Sequence, residues 1–291
     1  MSRHILLIAG THGNEQAAVY ASSMAAMEYT LEYNAGNHIS ELKFKIFNIP
    51  ALNSNTREIP EQPKPTRDLN RAFPDDGADD ISMVGITASI KTLIHDWADI
   101  VIDVHNSPAC DNAILVSNDA YAMPYIRFAS KHDIHYMLRE SAASTIKRYA
   151  IYNGKVGFTV EMGGMGYGPM FNAVISYQTE FVRRLLKAVD SEPASSFCKL
   201  SSDTPFPPQY NLMPLHAHFR GLVRYSGVPG RYLKAGCPVF AILDAESPSV
   251  VLEEVVAPCD CRLAACETNL WATPGMNICS VQPLIPKDTP K

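Results

Sequence analysis

Three short apolar runs constrain this chain most: His4–Ala9 (HILLIA), Asp99–Val104 (DIVIDV) and Val156–Met162 (VGFTVEM). They are too short for independent helices and too uniformly apolar to have one face in water, so they read as buried strands. Helix-like stretches separate them. Gln16 to about Tyr33 is rich in Ala, Met and Glu, Ile86 to Trp97 has apolar residues at helical spacing, and Val174 to Val189 forms a further helix. Phe44–Ile49 and Asn112–Ser117 add two strand candidates. Strands alternating with helices predict an α/β fold around a largely buried sheet.

The texture changes twice. Pro50, Pro60, Pro63 and Pro65 punctuate a polar stretch between Ile49 and Asp68, which reads as a long functional loop. Ser191 to Pro208 is rich in Ser and Pro. That break predicts a catalytic domain over 1–200 and a smaller all-β domain over 206–291, in line with about two domains for 291 residues. β-like runs at Gly221–Tyr225, Val239–Leu243 and Val250–Val256 support the second.

A net charge of -5 argues against a nucleic-acid partner. Ile5–Ala9 is too short for a signal-peptide core, and no apolar stretch approaches the ~20 residues of a membrane span, so no membrane partner is expected. Seven cysteines without a disulfide framework predict a cytoplasmic setting. Cys259, Cys261, Cys266 and Cys279 have no finger spacing and read as buried free thiols.

Each of the three apolar runs ends in a polar cluster, and ligands in open α/β sheets gather at the carboxyl ends of strands. His12 and Glu15 follow the first run with the spacing H-x-x-E, His105 ends the second, and Glu161 lies at the end of the third. An isolated H-x-x-E is usually structural, but Gly10 and Gly13 permit a tight turn around it. Two His and one Glu with an open position form a hydrolytic zinc pattern, so His12, Glu15 and His105 are the expected ligands. Asp103, two residues from His105 on the same strand face, can orient a ligand.

The chain resembles the aspartoacylase and succinylglutamate desuccinylase family on four segments in order. These are Gly10-Thr11-His12-Gly13-Asn14-Glu15, Asp68-Leu69-Asn70-Arg71-Ala72-Phe73, Asp103-Val104-His105-Asn106 and Val160-Glu161-Met162-Gly163. Phe206-Pro207-Pro208 and Ala235–Phe240 resemble landmarks of its C-terminal β domain. The resemblance implies a zinc-carboxypeptidase-like mixed sheet flanked by helices, one zinc ion, and hydrolysis of a small N-acyl amino acid such as N-acetylaspartate. It implies Glu161 as general base and acid, and Asn70 and Arg71 gripping a substrate carboxylate. Arg57, in Thr56-Arg57-Glu58-Ile59, is favoured over Arg67 to polarise the scissile carbonyl.

Two departures bear on the substrate. Lys147 or Arg148 could serve as the family's second carboxylate-binding residue, with Arg148 the candidate taken, although the spacing to Glu161 fits poorly. Glu267–Trp271 lacks the family's tyrosine, which predicts a more apolar pocket for neutral or aromatic N-acyl amino acids, with succinylated substrates still open. Gly163–Gly168 reads as an active-site loop, with Tyr167 lining the pocket. Metallocarboxypeptidase activity and a non-catalytic metal-dependent binder are the alternatives. A homo-oligomer is allowed.

Overall fold

The computed structural model describes residues 3–12, 15–38, 40–46, 68–73, 81–107, 110–139, 144–163, 172–198, 208–267 and 271–285 of the 291-residue chain. Arg57, Arg67 and Tyr167, most of the loop over 49–68, and residues 164–168 lie outside the described residues.

Six strands form the first sheet: β1 (His4–Ala9), β2 (Glu41–Ile46), β3 (Ile100–Asn106), β4 (Ala113–Ser117), β5 (Tyr136–Arg139) and β6 (Val156–Met162). Their order is β2-β1-β3-β6-β4-β5. β2, β1, β3 and β6 are parallel, while β4 runs antiparallel to β6 and parallel to β5, so the sheet is mixed.

The two-residue period of a strand sorts the core into two faces. Ile5, Leu7, Ile100, Ile102 and Val104 pack beneath α1 (Gln16–Asn34), α3 (Ala122–Lys131) and α5 (Asn172–Ser191). Leu6, Ile8 and Val101 pack on the other face, with α2 (Ile81–Asp96) and α4 (Ile146–Tyr152). Asp103 and His105 belong to this second face by alternation, and the register puts Glu161 directly beside His105. Ala17, Ala18, Ala21, Ala25 and Ala26 are buried on α1, and such small residues let the helix approach the sheet closely.

The chain after 208 forms two four-stranded antiparallel sheets. β8 (Gly221–Tyr225), β10 (Pro238–Leu243), β11 (Val251–Val256) and β13 (Trp271–Ala272) make one. β7 (Met213–His216), β9 (Tyr232–Leu233), β12 (Cys261–Cys266) and β14 (Asn277–Pro283) make the other. They share a core that includes Val239, Phe240, Leu263 and Val281. An isolated antiparallel bridge from Cys110, in the segment leading into β4, to Ala265 joins the second of these sheets to the N-terminal part of the chain. The α/β class with antiparallel sheets at the C-terminal end is as the sequence predicts.

Cys261, Cys266 and Cys279 are buried free thiols as expected, and Cys259 is partly buried. His216 ends β7, while His218 lies beyond it and contacts Glu253 through its backbone N–H and Nδ1. No described helix is long and apolar enough to cross a membrane.

Candidate metal centre

β1 ends at Ala9, and Gly10 turns the chain with φ +78°, a conformation that costs glycine little. His12 follows, and its carbonyl accepts the Glu15 backbone N–H at 3.0 Å. Glu15 occupies the N-cap position of α1, yet its side chain caps nothing there. One carboxylate oxygen meets His12 Nδ1 at 2.9 Å and the other meets His105 Nδ1 at 3.1 Å. The Asn106 side-chain oxygen accepts the Ala18 N–H instead, so the end of β3 secures the start of α1.

One ligand atom each from His12, Glu15 and His105 lies within 4.8 Å of the others. The far nitrogen of each imidazole rests on a carboxylate: His12 Nε2 on Asp68 at 3.0 Å and His105 Nε2 on Asp103 at 2.8 Å. This carboxylate–histidine pairing fixes the ring and leaves Nδ1 facing the cluster. Two imidazole nitrogens and a carboxylate oxygen match the donor set of a zinc site with an open position.

The electrostatics favour a cation there. Burial opposes charge on His12, but hydrogen bonds to Asp68 and Glu15 outweigh it and push its pKa up to about 9. Burial likewise opposes charge on His105, and Asp103 and Glu15 overcome it to hold the pKa well above its usual value. Three carboxylates around two imidazoles leave an excess of negative charge for a divalent ion to neutralise.

Glu161 faces the same pocket and makes no hydrogen bond or ion pair among the described residues. Burial pushes its carboxyl up to about 7, with His105 opposing and Glu15 adding to the shift. A carboxyl so poised can exchange a proton near neutrality.

Asp68 also caps the 3-10 turn Leu69–Arg71, accepting the Asn70 N–H at 2.8 Å. Asn70 is buried; its amide donates to Asp103 at 3.1 Å and accepts the Ile146 N–H at 2.9 Å. Arg71 is exposed at the pocket wall. Arg148 is held elsewhere, its guanidinium on Asp119 and on the Tyr152 hydroxyl, and the described pocket lining does not include it.

The pocket holds about 240 Å³. An apolar pocket was expected, but Leu115 is the only aliphatic side chain among its described lining residues. The far wall is cationic. Arg139, at the end of β5, makes no side-chain hydrogen bond or ion pair among the described residues. Lys147 is buried, with its Nζ on the Leu115 carbonyl at 2.6 Å and Ser117 Oγ at 3.3 Å. Both acceptors are neutral, and burial pushes its pKa down to about 7. Sequence reasoning missed Arg139, which belongs to no motif, and placed Asp68 in the Asp68–Phe73 motif without giving it a contact to His12.

A family model described as the succinylglutamate desuccinylase/aspartoacylase catalytic domain matches residues 2–189. The chain belongs to this family. Its members are hydrolases acting on N-acyl amino acids. The structure is similar to a succinylglutamate desuccinylase/aspartoacylase from Rhodobacter sphaeroides, with 19% identity, 99% of this chain and 87% of that one covered, and a TM-score of 0.65. A succinylglutamate desuccinylase from Silicibacter sp. TM1040 superposes with 17% identity, 97% and 85% coverage and a TM-score of 0.65. The product-bound ectoine utilization protein EutE from Ruegeria pomeroyi does so with 16% identity, 97% and 86% coverage and a TM-score of 0.61. At these identities the likeness concerns the fold. No curated protein sequence matches the chain.

Proposed function

We propose that this family member is a zinc-dependent amidohydrolase that removes the acyl group from an N-acyl amino acid carrying a second carboxylate. The convergence of His12 Nδ1, Glu15 and His105 Nδ1 beside Glu161, in one pocket with Arg71 and Arg139, carries this reading. Zinc, when bound by those three residues, would make water more acidic and polarise the scissile carbonyl.

The Glu161 carboxylate takes a proton from the attacking water and returns it to the leaving amide nitrogen. Arg71 binds the amino-acid carboxylate in a planar geometry that lysine cannot copy. Arg57 keeps its proposed place on the developing oxyanion. The second carboxylate falls to Arg139, with Lys147 behind it, because Arg148 is already paired with Asp119. The catalytic unit is taken as 1–200, with 206–291 shaping the pocket, and the setting as cytoplasmic.

The test is a panel of N-acetyl, N-formyl and N-succinyl amino acids, neutral and acidic, with the released amine as readout and a dipeptide as the peptidase control. Diacids should be preferred. Arg139→Met should raise KM for them by about 10- to 100-fold, the worth of one charge-assisted hydrogen bond, and leave neutral substrates unchanged. Zinc-loaded protein that turns over no acyl amino acid would sink the deacylase reading. A preference for neutral substrates, unaltered in the variant, would remove only the second carboxylate. Asp68→Asn should weaken zinc binding by about 10- to 100-fold, measured by competition with a chelating dye; an unchanged affinity would take Asp68 out of the ligand support.

A further inference from the structure

Glu161 has no side-chain hydrogen bond among the described residues, so its carboxylate sits where the backbone of β6 puts it. That backbone is clamped just past the residue. Met162 O accepts the Ser107 N–H at 3.0 Å and the Asn106 side chain at 3.2 Å. The Gly163 N–H donates to the Asn112 side-chain oxygen at 2.9 Å, and Gly163 O accepts Gln178 Nε2 at 2.7 Å. The Cys110 carbonyl packs so closely that a Cβ on Gly163 would lie 1.5 Å from it. Glycine is therefore required at 163 for close approach of two backbones.

The segment pressing on Gly163, residues 110–112, is itself held from the C-terminal sheets. Cys110 bridges Ala265, and the Asp111 N–H donates to Ala264 O at 3.3 Å. The Asp111 carboxylate collects the Arg262 guanidinium, His135 Nδ1 at 2.6 Å and the Tyr177 hydroxyl at 2.9 Å. Arg262 is buried in β12 and also donates to Gly230 O at 3.1 Å. Gly230, at φ +94°, lets the chain pass Asp111, since a Cβ there would stand 3.1 Å from the carboxylate. β4 starts directly after this segment, and its first residue, Ala113, is the antiparallel partner of Glu161.

We propose that Arg262 and Asp111 are positioning residues for Glu161: through 110–112 and Gly163, the C-terminal β sheet sets where the proton-carrying carboxylate stands. The inference rests on the role given to Glu161 above. The C-terminal strands then contribute to the rate of the reaction, although no described residue lining the pocket comes from them.

The experiment compares Arg262→Met, Arg262→Lys and Tyr177→Phe in the full-length zinc-loaded protein. Arg262→Met should lower kcat by about tenfold, as small displacements of a reacting group do. KM should stay within about twofold and zinc stoichiometry should not change. Arg262→Lys should recover part of kcat, and Tyr177→Phe, at a half-exposed residue, should cost about two- to threefold.

Hydrogen exchange gives a readout independent of turnover: a peptide spanning 158–163 should exchange faster in Arg262→Met, and one spanning 4–9 should not. If Arg262→Met does not fold, Tyr177→Phe decides by both measures. Unchanged kcat together with unchanged exchange at 158–163 in a folded variant overturns the proposal. If the unmodified protein has no deacylase activity, the reading of the site fails, and exchange alone decides whether Arg262 holds the β6 exit.

Discussion

Glu161→Gln is expected to lower kcat by about 10²- to 10⁴-fold, the usual contribution of a general acid–base group, with zinc content unchanged. Glutamine preserves the volume and cannot carry the proton. Glu161 is not among the three residues whose ligand atoms converge, so the variant should still bind the ion. Its carboxyl already lies near 7 through burial, so it both accepts and releases a proton at modest cost. Steady-state deacylation with metal analysis on the same preparation checks this. A kcat within threefold of the unmodified protein would assign the proton to another group.

His105→Ala should lose more than about 100-fold in zinc affinity, and activity with it, because loss of a residue that merely hydrogen-bonds a ligand already costs about 10- to 100-fold. His105 is buried, and its two ring nitrogens join Glu15 to Asp103. Removing the imidazole deletes a donor and leaves Glu15 and Asp103 without it. His12→Ala, at a partly exposed ligand, is the companion that tests the same set with less disturbance to the core. Calorimetric titration of zinc into apo-protein reads both. Unmodified affinity in either folded variant would break the ligand assignment.

Much of the sheet was legible because its strands are uniform apolar runs. β1 and β6 have the expected bounds, and β3 runs two residues further, through His105 and Asn106. β2 begins three residues earlier than expected, since Glu41 and Lys43 alternate with Leu42 and Phe44 and blur the start of the run; residues 47–49 of the expected strand lie outside the described residues. α3, β5 and α4 went unseen. β5 has four residues and α4 seven, too short to show a period, and α3 holds Pro124 near its start. The reversal of β4 has no sequence signature, because strand direction leaves no mark on alternation. β12 and β14 were hidden by their Cys, Ser and Arg residues.

At the site, the motifs led to His12, Glu15, His105 and Glu161, which the fold brings together. They could not lead to Arg139, whose place depends on a four-residue strand two positions from β6 in the sheet. Nor could they distinguish Lys147 from Arg148. They are adjacent on α4, about 100° apart around the helix axis, and that rotation separates a pocket-lining ammonium from a guanidinium committed to Asp119.

The tie between Asp111 and Arg262 also has a consequence for timing on the ribosome, where chains emerge from the N-terminal end. His12, Glu15 and His105 are translated long before Arg262. On the proposed reading a nascent chain could assemble its cation site early, while the 110–112 segment against Gly163 would lack its Arg262 and Ala265 partners until β12 has been made and docked. On the proposed roles of Glu161 and Arg262, full hydrolytic competence would arrive near the end of synthesis, once β12 docks against Asp111.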